Sequence, residues 1–151
     1  MPSVLITGAN RGLGLEFARQ YLADGWQVYA TCRHPASASE LRRLADSSGH
    51  KLRILALDVT EPGSIKTAAA ELDGQAIDLL LNNAGVGGAR GQTIGNIGYV
   101  TWAKVVEVNL AQPENGRMGM HLRDHHGAVQ SAGGFTTGCL RSLSLATMIA
   151  G

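Results

Sequence analysis

The segment Ser3-Val-Leu-Ile-Thr-Gly-Ala-Asn-Arg-Gly-Leu-Gly14 decides the fold of this chain. Its apolar run, 3–7, stops at Gly8, and a helical spacing of apolar residues covers 12–23. Because the run is apolar on both faces, it is typical of a strand buried inside a parallel sheet. The segment therefore predicts a buried strand that leads through a glycine-rich turn into a helix.

The same alternation of strand and helix continues to residue 110. Further strands are predicted at 27–32, 51–57 and 77–81, and further helices at 39–45, 60–72 and 100–110, the last of these buried. Parallel strands joined by helices form right-handed βαβ units. We therefore expect an α/β fold, a Rossmann-like doubly wound parallel sheet of four strands. A weak fifth strand is placed at 127–130, and the sheet is expected to be incomplete at its C-terminal end.

Composition excludes several classes of protein. The 151 residues carry 13 basic and 12 acidic side chains, a net charge of +1, which argues against binding of nucleic acid through phosphate neutralisation. No window approaches the length of an apolar membrane span, and no secretory signal is visible at the start, so no membrane partner is expected. Two cysteines are too few for a disulfide framework, and a cytoplasmic protein is the simplest expectation.

The glycine-rich turn is a candidate anion site. Unpaired N–H groups and the dipole of the following helix favour a phosphate at this position. Gly8 suits a tight turn, Gly12 lets a pyrophosphate approach the backbone, and Gly14 lets the helix lie close to the sheet. The other candidate contacts of the turn are Asn10, Arg11 and Leu13. The alternative is a glycine-rich turn that binds no ligand.

The end of the second predicted strand lacks the acidic residue that commonly holds the ribose of NAD. The sequence there is Thr31-Cys-Arg-His34. A guanidinium donates two parallel charge-assisted hydrogen bonds, so Arg33, with Arg11 as a second cation, is a candidate for the 2′-phosphate of NADP. NADP is therefore favoured over NAD, which stays open. The alternative is that both arginines are solvated surface charges.

Two further segments follow predicted strands and are expected on the same ligand-binding edge. Asp58 is a candidate acceptor for an adenine amino group, with Val59 as a backbone contact, unless Asp58 only caps the next helix. The small residues of the second segment would let a cofactor lie against the backbone, and its asparagine amides could join neighbouring strands. An ordinary turn is the alternative for this segment, which comprises Asn82, Asn83, Ala84 and Gly85.

Taken in order, these motifs resemble the short-chain dehydrogenase/reductase family. The motifs are Thr7 to Gly14, Asp58-Val59, Asn82 to Gly85 and Val108-Asn109, within about residues 3–113. The stretches TGANRGLGLE and ATCRHP are similar to its carbonyl-reductase and C-factor-like branch. The resemblance implies NAD(P)-dependent hydride transfer on a small carbonyl or alcohol substrate, and it leaves a homo-oligomer open.

The resemblance also implies a catalytic tetrad, which this chain completes only in part. Asn109 matches the Asn of the tetrad, and Ser131 is a weak match to its Ser. The family's Tyr-x-x-x-Lys should follow Asn109, but the last tyrosine is Tyr99 and the last lysine is Lys104. The alternative function is therefore a catalytically silent nucleotide-binding or signalling protein. Whether the chain is an enzyme stays open, and a family member truncated or altered after about residue 113 is the expectation.

The chain is expected to divide at that point. Residues 1–113 form the predicted dinucleotide-binding core, and residues 114–151 form an atypical, poorly ordered tail without a sustained apolar face. His121, His125 and His126 lie in this tail without further ligands at metal-binding spacing, so no metal site is expected.

Overall fold

The computed structural model describes residues 1–88, 91, 96 and 98–110 and the strand segments 121–123, 129–131 and 142–144. The strands are β1 (Ser3–Ile6), β2 (Gln27–Cys32), β3 (Leu52–Ala56), β4 (Leu79–Asn82), β5 (His121–Arg123), β6 (Val129–Ser131) and β7 (Ser142–Ser144). The helices are α1 (Gly12–Ala23), α2 (Ser39–Ser47), α3 (Pro62–Glu71) and α4 (Tyr99–Leu110), with a short 3₁₀ helix at Pro35–Ser37.

A parallel sheet with the strand order β3-β2-β1-β4-β7 forms the centre of the fold. In its middle, Val4 of β1 lies opposite Val28 of β2 on one side and Leu79 of β4 on the other. The chain runs outward from β1 to β3 and then returns to β4 on the far side of β1. The predicted doubly wound Rossmann-like sheet is therefore confirmed. The reversal lies between β1 and β4, where folds of this kind bind ligands beyond the carboxyl ends of the strands.

The two faces of β1 belong to different apolar clusters, as the uninterrupted apolar run predicts. Val4 and Ile6 pack in one cluster with residues of α1 and α2, among them Ala18 and Leu41. Leu5 points to the opposite face and packs with residues around α3. All four residues of β1 are buried. Helices on both faces thus shield the strand from water, which explains why it carries no polar face.

A third apolar cluster lies at the carboxyl edge of the sheet and anchors α4. Its buried members are Leu57, Val59, Ile65, Ala68 and Val108. The expectation of a buried helix at 100–110 is wrong, because Val108 is the only buried side chain among the described residues of α4. The side chains of Tyr99 and Val100 are 84% and 87% exposed. Apolar composition alone could not show that, among the described residues of α4, burial is confined to Val108.

The placement of the fifth strand is also corrected. Residues 129–131 do form a strand, but β6 pairs antiparallel with β5 in a separate two-stranded sheet. The fifth strand of the parallel sheet is β7, where Leu143 lies opposite Leu81 of β4. A short apolar alternation does not specify its pairing partner, which depends on the path of the chain. The predicted division near residue 113 stays a prediction.

Candidate functional site

A cavity of about 530 Å³ opens at the carboxyl edge of the sheet, next to the reversal in strand order. Twelve of the thirteen residues predicted to contact a cofactor line it: Gly8, Asn10, Arg11, Gly12, Leu13, Gly14, Arg33, Asp58, Val59, Asn83, Ala84 and Gly85. The thirteenth, Asn82, is buried in β4. Sequence reasoning missed the other residues of the wall, namely Cys32, His34, Ser37, Leu57, Thr60, Val86, Lys104 and Val108.

Backbone geometry explains the glycines of the turn. Gly8 and Gly12 have φ values of +66° and +57°, in the left-handed region that other residues rarely adopt. A Cβ atom on Gly14 would lie 2.5 Å from the carbonyl oxygen of Gly8 and would also collide with the Asn83 side chain. A Cβ atom on Gly12 would meet nothing within 4 Å. Gly14 therefore serves close packing, whereas Gly12 leaves open space beside the backbone.

The first turn of α1 lines the cavity, and its N-cap side chain is a guanidinium, which has no atom that could accept from the amides. Arg11 at the N-cap has extended backbone and makes no capping hydrogen bond through its side chain. Behind it, the N–H of Ala9 donates to the carbonyl oxygen of Thr31 at 2.8 Å, which joins the turn to the end of β2. The turn is thus fixed to the sheet while the helix N-terminus faces the cavity, an arrangement suited to an anion.

Thr7 and Asn83 join the ends of β1 and β4. The fully buried hydroxyl of Thr7 accepts hydrogen bonds from the backbone N–H groups of Asn83 and Ala84, both at 2.9 Å. The side-chain amide of Asn83 donates to the carbonyl oxygens of Thr7 at 2.9 Å and Gly8 at 3.1 Å. The expectation that an asparagine amide joins neighbouring strands matches this geometry. The role of Thr7 was missed, although it precedes the first glycine.

The wall beyond β2 is cationic. Arg33 and His34 line the cavity across from Arg11. Among the described residues, neither arginine forms an ion pair, in contrast to Arg19 and Arg53 on the outer surface. The position that would carry an acid in an NAD site is occupied by Cys32, whose thiol pKa is raised by burial despite the opposing hydrogen bond from the His34 backbone. This wall therefore carries a neutral thiol and the positive charge of Arg33, which makes no close ion pair within the described residues.

Asp58 is held in a tight turn at the end of β3. Its Oδ1 atom accepts hydrogen bonds from the Thr60 N–H at 2.9 Å and the Thr60 hydroxyl at 2.7 Å. Burial acts to raise the pKa of Asp58, but these two hydrogen bonds and the charges of Arg33 and Lys104 lower it below its ordinary value. Asp58 therefore does not cap α3, whose N-cap is Glu61, but forms a turn with Thr60 and lies on the cavity wall as a carboxylate.

Asn109 makes a two-way contact with the loop that follows β4. Its Nδ2 atom donates to the carbonyl oxygen of Val86, and its Oδ1 atom accepts from the Val86 N–H, both at 3.1 Å. A Cβ atom on Gly85 would lie 3.0 Å from the same Oδ1 atom. The amide of Asn109 thus fixes the backbone beside the cavity from outside its wall. Its membership of a catalytic tetrad stays a prediction.

Ser131, the other predicted catalytic residue, is not among the described residues that line the cavity, and neither are Tyr21 and Tyr29. Ser131 lies in β6, outside the parallel sheet, and its catalytic role stays a prediction. Tyr29 lies in the sheet and donates to Gln75 at 3.1 Å, and Tyr21 stacks edge-on with Trp26. Burial raises the pKa of both phenols, the opposite of what a proton donor at neutral pH needs. Neither tyrosine lines the cavity.

Two further expectations concern absences. Within the described ranges, no group of three His, Cys, Asp or Glu side chains is arranged to hold a metal, while His125 and His126 lie outside the described residues. None of the helices in the described part of the chain has the length and hydrophobicity needed to cross a bilayer.

Comparison with known proteins places these features in context. Residues 2–116 match the family model described as short chain dehydrogenase. Dehydrogenase/reductase SDR family member 7B of Rattus norvegicus is 38% identical over 120 residues, 73% of this chain and 36% of the relative. Serine 3-dehydrogenase of Agrobacterium fabrum is 35% identical over 111 residues, 72% of this chain and 43% of the relative. The chain thus spans about two fifths of the length of these relatives.

A solved structure shows the same likeness. A carbonyl reductase from Pseudomonas aeruginosa in complex with NADP superimposes with a TM-score of 0.74 at 32% identity, over 78% of this chain and 54% of the reductase. The likeness covers the parallel sheet and its flanking helices.

Proposed function

This chain belongs to the short-chain dehydrogenase/reductase family. On that basis we propose that it binds NADP(H) and acts as an oxidoreductase, which transfers a hydride between this cofactor and a carbonyl or alcohol. The observation that carries the proposal is the cavity at the reversal in strand order, where the ends of β1 to β4 and the N-terminus of α1 meet. A dinucleotide needs an anion site flanked by two nucleoside sites, and the residues of the wall can be assigned to these parts.

The pyrophosphate fits the glycine-rich turn. The open space beside Gly12 lets two phosphates approach the backbone, and the N-cap side chain of α1, Arg11, makes no hydrogen bond to the amides of the first turn. The helix dipole favours negative charge at this point. The residues present therefore fit a pyrophosphate, with Gly12, Leu13 and Gly14 as its proposed contacts.

The cationic wall supports NADP over NAD. NAD sites of this fold place a carboxylate after the second strand, where it accepts hydrogen bonds from the ribose hydroxyls. This chain has Cys32 there, followed by Arg33, and Arg11 faces them from the turn. A 2′-phosphate would receive charge-assisted hydrogen bonds from these guanidinium groups. The carbonyl reductase of known structure, with which this chain aligns, was solved with NADP.

The adenine end of the site is proposed at Asp58 and Val59. Oδ1 of Asp58 accepts both hydrogen bonds from Thr60, and we propose that Oδ2 accepts a hydrogen bond from the adenine amino group. Val59 and Val108 supply an apolar surface for the ring from the third cluster. The segment after β4 is proposed to form the other side of the cofactor site, because hydrogen bonds to Thr7 fix its backbone there. This segment comprises Asn82, Asn83, Ala84 and Gly85.

Bound NADP(H) would supply or accept the hydride, and the residues of this chain would bind, orient and shield it. Proton transfer to a carbonyl oxygen needs an acid, and residues 110–151 contain no tyrosine or lysine. That observation favours a second candidate function, a nucleotide-binding or signalling protein without catalysis. The proposal includes a dinucleotide-binding core at residues 1–113. It also includes a cytoplasmic setting, with which the free, buried thiol of Cys32 agrees.

Titration of the full chain with NADPH tests the proposal. Binding is followed by the fluorescence of the reduced nicotinamide and, separately, by calorimetry with NADPH, NADH and 2′,5′-ADP. We expect saturable binding of NADPH and 2′,5′-ADP and weaker binding of NADH. Oxidation of NADPH with small aldehydes and ketones then separates the two candidates, since saturable binding without turnover supports the silent protein. A chain that binds none of the three nucleotides would overturn the proposal.

A further inference from the structure

One lysine outside the recognised motifs reaches the nucleotide cavity. Lys104 lies on α4, lines the cavity, and places its Nζ atom 3.4 Å from the hydroxyl oxygen of Thr60. The same hydroxyl donates to Oδ1 of Asp58 at 2.7 Å. The Lys104 ammonium, the Thr60 hydroxyl and the Asp58 carboxylate therefore form a series of consecutive hydrogen bonds at the cavity wall.

The direction of these hydrogen bonds is fixed by chemistry. A lysine ammonium only donates, so the Thr60 oxygen must accept from it, and the single hydroxyl proton remains for Asp58. The backbone N–H of Thr60 donates to the same Oδ1 atom at 2.9 Å. One carboxylate oxygen is thus occupied by two donors, whereas Oδ2 accepts from neither of them and is available to a ligand.

The series also connects two parts of the fold. Asp58 and Thr60 follow β3, while Lys104 lies on α4, one helical turn before the buried Val108. Glu107 holds the lysine from the other side, with its carboxylate 3.1 Å from Nζ. The ammonium is therefore restrained between a partner on its own helix and Thr60 on the opposite wall.

We propose that Lys104 is a positioning residue for the nucleotide base, which acts through Thr60 to hold Asp58 with Oδ2 presented to the exocyclic amine of adenine. The inference rests on the proposed function and goes beyond it, because it assigns a role to a residue of α4 that has no part in the glycine-rich turn or in the cationic wall.

The charges that face Asp58 agree with this role. They are Arg33 beyond β2 and Lys104 on α4, both of which lower the pKa of the carboxyl. Burial has the largest effect and acts in the opposite direction, but the hydrogen bonds from Thr60 help to overcome it. Loss of Lys104 would remove one of these two positive charges, and it would also remove the donor that orients the Thr60 hydroxyl.

Calorimetry with ADP and NADPH on the full chain tests the inference. ADP lacks the 2′-phosphate and nicotinamide, so it reports on the base and the pyrophosphate. Lys104→Met is expected to weaken the binding of both nucleotides by the same factor, roughly three- to fivefold, because a half-exposed charge contributes little. Lys104→Arg should restore most of the affinity. Lys66→Met, which removes an exposed lysine of α3 outside the cavity, is the matched control and should change neither affinity.

A double-mutant cycle separates positioning from direct contact. If Lys104 acts through Thr60, the variant carrying both Lys104→Met and Thr60→Val should bind ADP no more weakly than Thr60→Val alone. Additive losses would overturn the proposal in favour of direct contact between the ammonium and the nucleotide. As a second readout, the pH at which NADP⁺ affinity falls by half should be higher in Lys104→Met than in the unmodified chain, because its Asp58 protonates more readily.

The outcomes distinguish the two proposals. A chain that binds neither nucleotide overturns the proposed function itself. A chain that binds both equally well with and without Lys104, at every pH, overturns only the role of the lysine. Thermal melts of each variant establish that it folds.

Discussion

Asn83 contacts Thr7 twice: its backbone N–H donates to the Thr7 hydroxyl and its side-chain amide donates to the Thr7 carbonyl oxygen, each at 2.9 Å. These residues are 76 positions apart in the chain. The pair aligns the ends of β1 and β4, so the glycine-rich turn and the segment after β4 enter the cavity in a fixed relative position. Fixed backbone is what lets a site bind phosphates without first ordering its own amides.

Thr7→Val tests this junction. Valine keeps the shape of threonine but removes the acceptor, which leaves the N–H groups of Asn83 and Ala84 without it. We expect the free energy of unfolding to fall by about 2 kcal/mol, measured by urea denaturation. Thr67→Val is the control, since the exposed Thr67 hydroxyl donates to the Gly63 carbonyl oxygen of its own helix, and it should change stability by less than about 0.5 kcal/mol. Equal effects at both positions would contradict a special role for Thr7.

Gly14→Ala tests the close packing of α1 on the turn. The added methyl group would meet the Gly8 carbonyl oxygen at 2.5 Å, so α1 or the turn must shift. We expect a loss of about 1–3 kcal/mol in stability and at least a tenfold loss of NADPH affinity, measured by denaturation and calorimetry.

Gly63→Ala is the matched substitution for that experiment. A Cβ atom on Gly63 meets nothing within 4 Å, and the residue lies in α3 with ordinary backbone geometry. Its stability should stay unchanged or rise by about 0.5–1 kcal/mol, with NADPH affinity unaffected. A Gly14→Ala variant that behaved in the same way would show that close approach at Gly14 is not needed.

Arg33→Met tests the choice of nucleotide. Removal of a charge-assisted hydrogen bond to the 2′-phosphate should weaken the binding of NADPH about tenfold and leave the affinity for NADH nearly unchanged. Arg53→Met is the control, because Arg53 pairs with Glu71 and lies outside this cavity. The ratio of the two dissociation constants is the measurement, and a ratio that stays constant on loss of Arg33 would argue against the proposed phosphate site.

Asp58→Asn should change how stability depends on pH. The folded-state pKa of Asp58 is lowered from its ordinary value of 3.8, so its carboxylate stabilises the fold at neutral pH. That contribution is complete above the unfolded-state value and is lost as the pH falls through the lower folded-state value. Melting temperatures between pH 2.5 and 7 should therefore differ most between the two chains at pH 7 and converge in acid. A difference that grows in acid would contradict this assignment.

Asn109→Ala tests the contact with Val86. The substitution removes both hydrogen bonds, which are exposed, so we expect a loss of about 1 kcal/mol in stability. The Val86 amide should exchange its hydrogen faster, since its acceptor is gone. Gln20→Ala, which removes an exposed bond to Glu16 on α1, should leave that exchange rate unchanged. Unaltered exchange at Val86 in Asn109→Ala would mean that the contact does not hold the loop.

The sequence predicted those parts of the site that follow from position along a strand. Asp58 and Asn83 come directly after buried apolar runs, and the carboxyl ends of parallel strands must meet at one edge of the sheet. Lys104 and His34 carried no such signal, because a charged residue on a helix or loop is usually solvated. The exposure of Val100 was missed for the converse reason, since apolar composition does not reveal whether a neighbour covers the helix.

The sequence by itself determined the alternation of strands and helices, the parallel sheet and the glycine-rich turn, because hydrophobic periodicity and the conformational freedom of glycine act on neighbouring residues. Only the tertiary structure decided that Thr7 accepts from Asn83, that Lys104 reaches Thr60 across 44 residues, and that β7 rather than β6 extends the sheet. Contacts of this kind depend on how the packed elements are placed in space, and no local pattern encodes that placement.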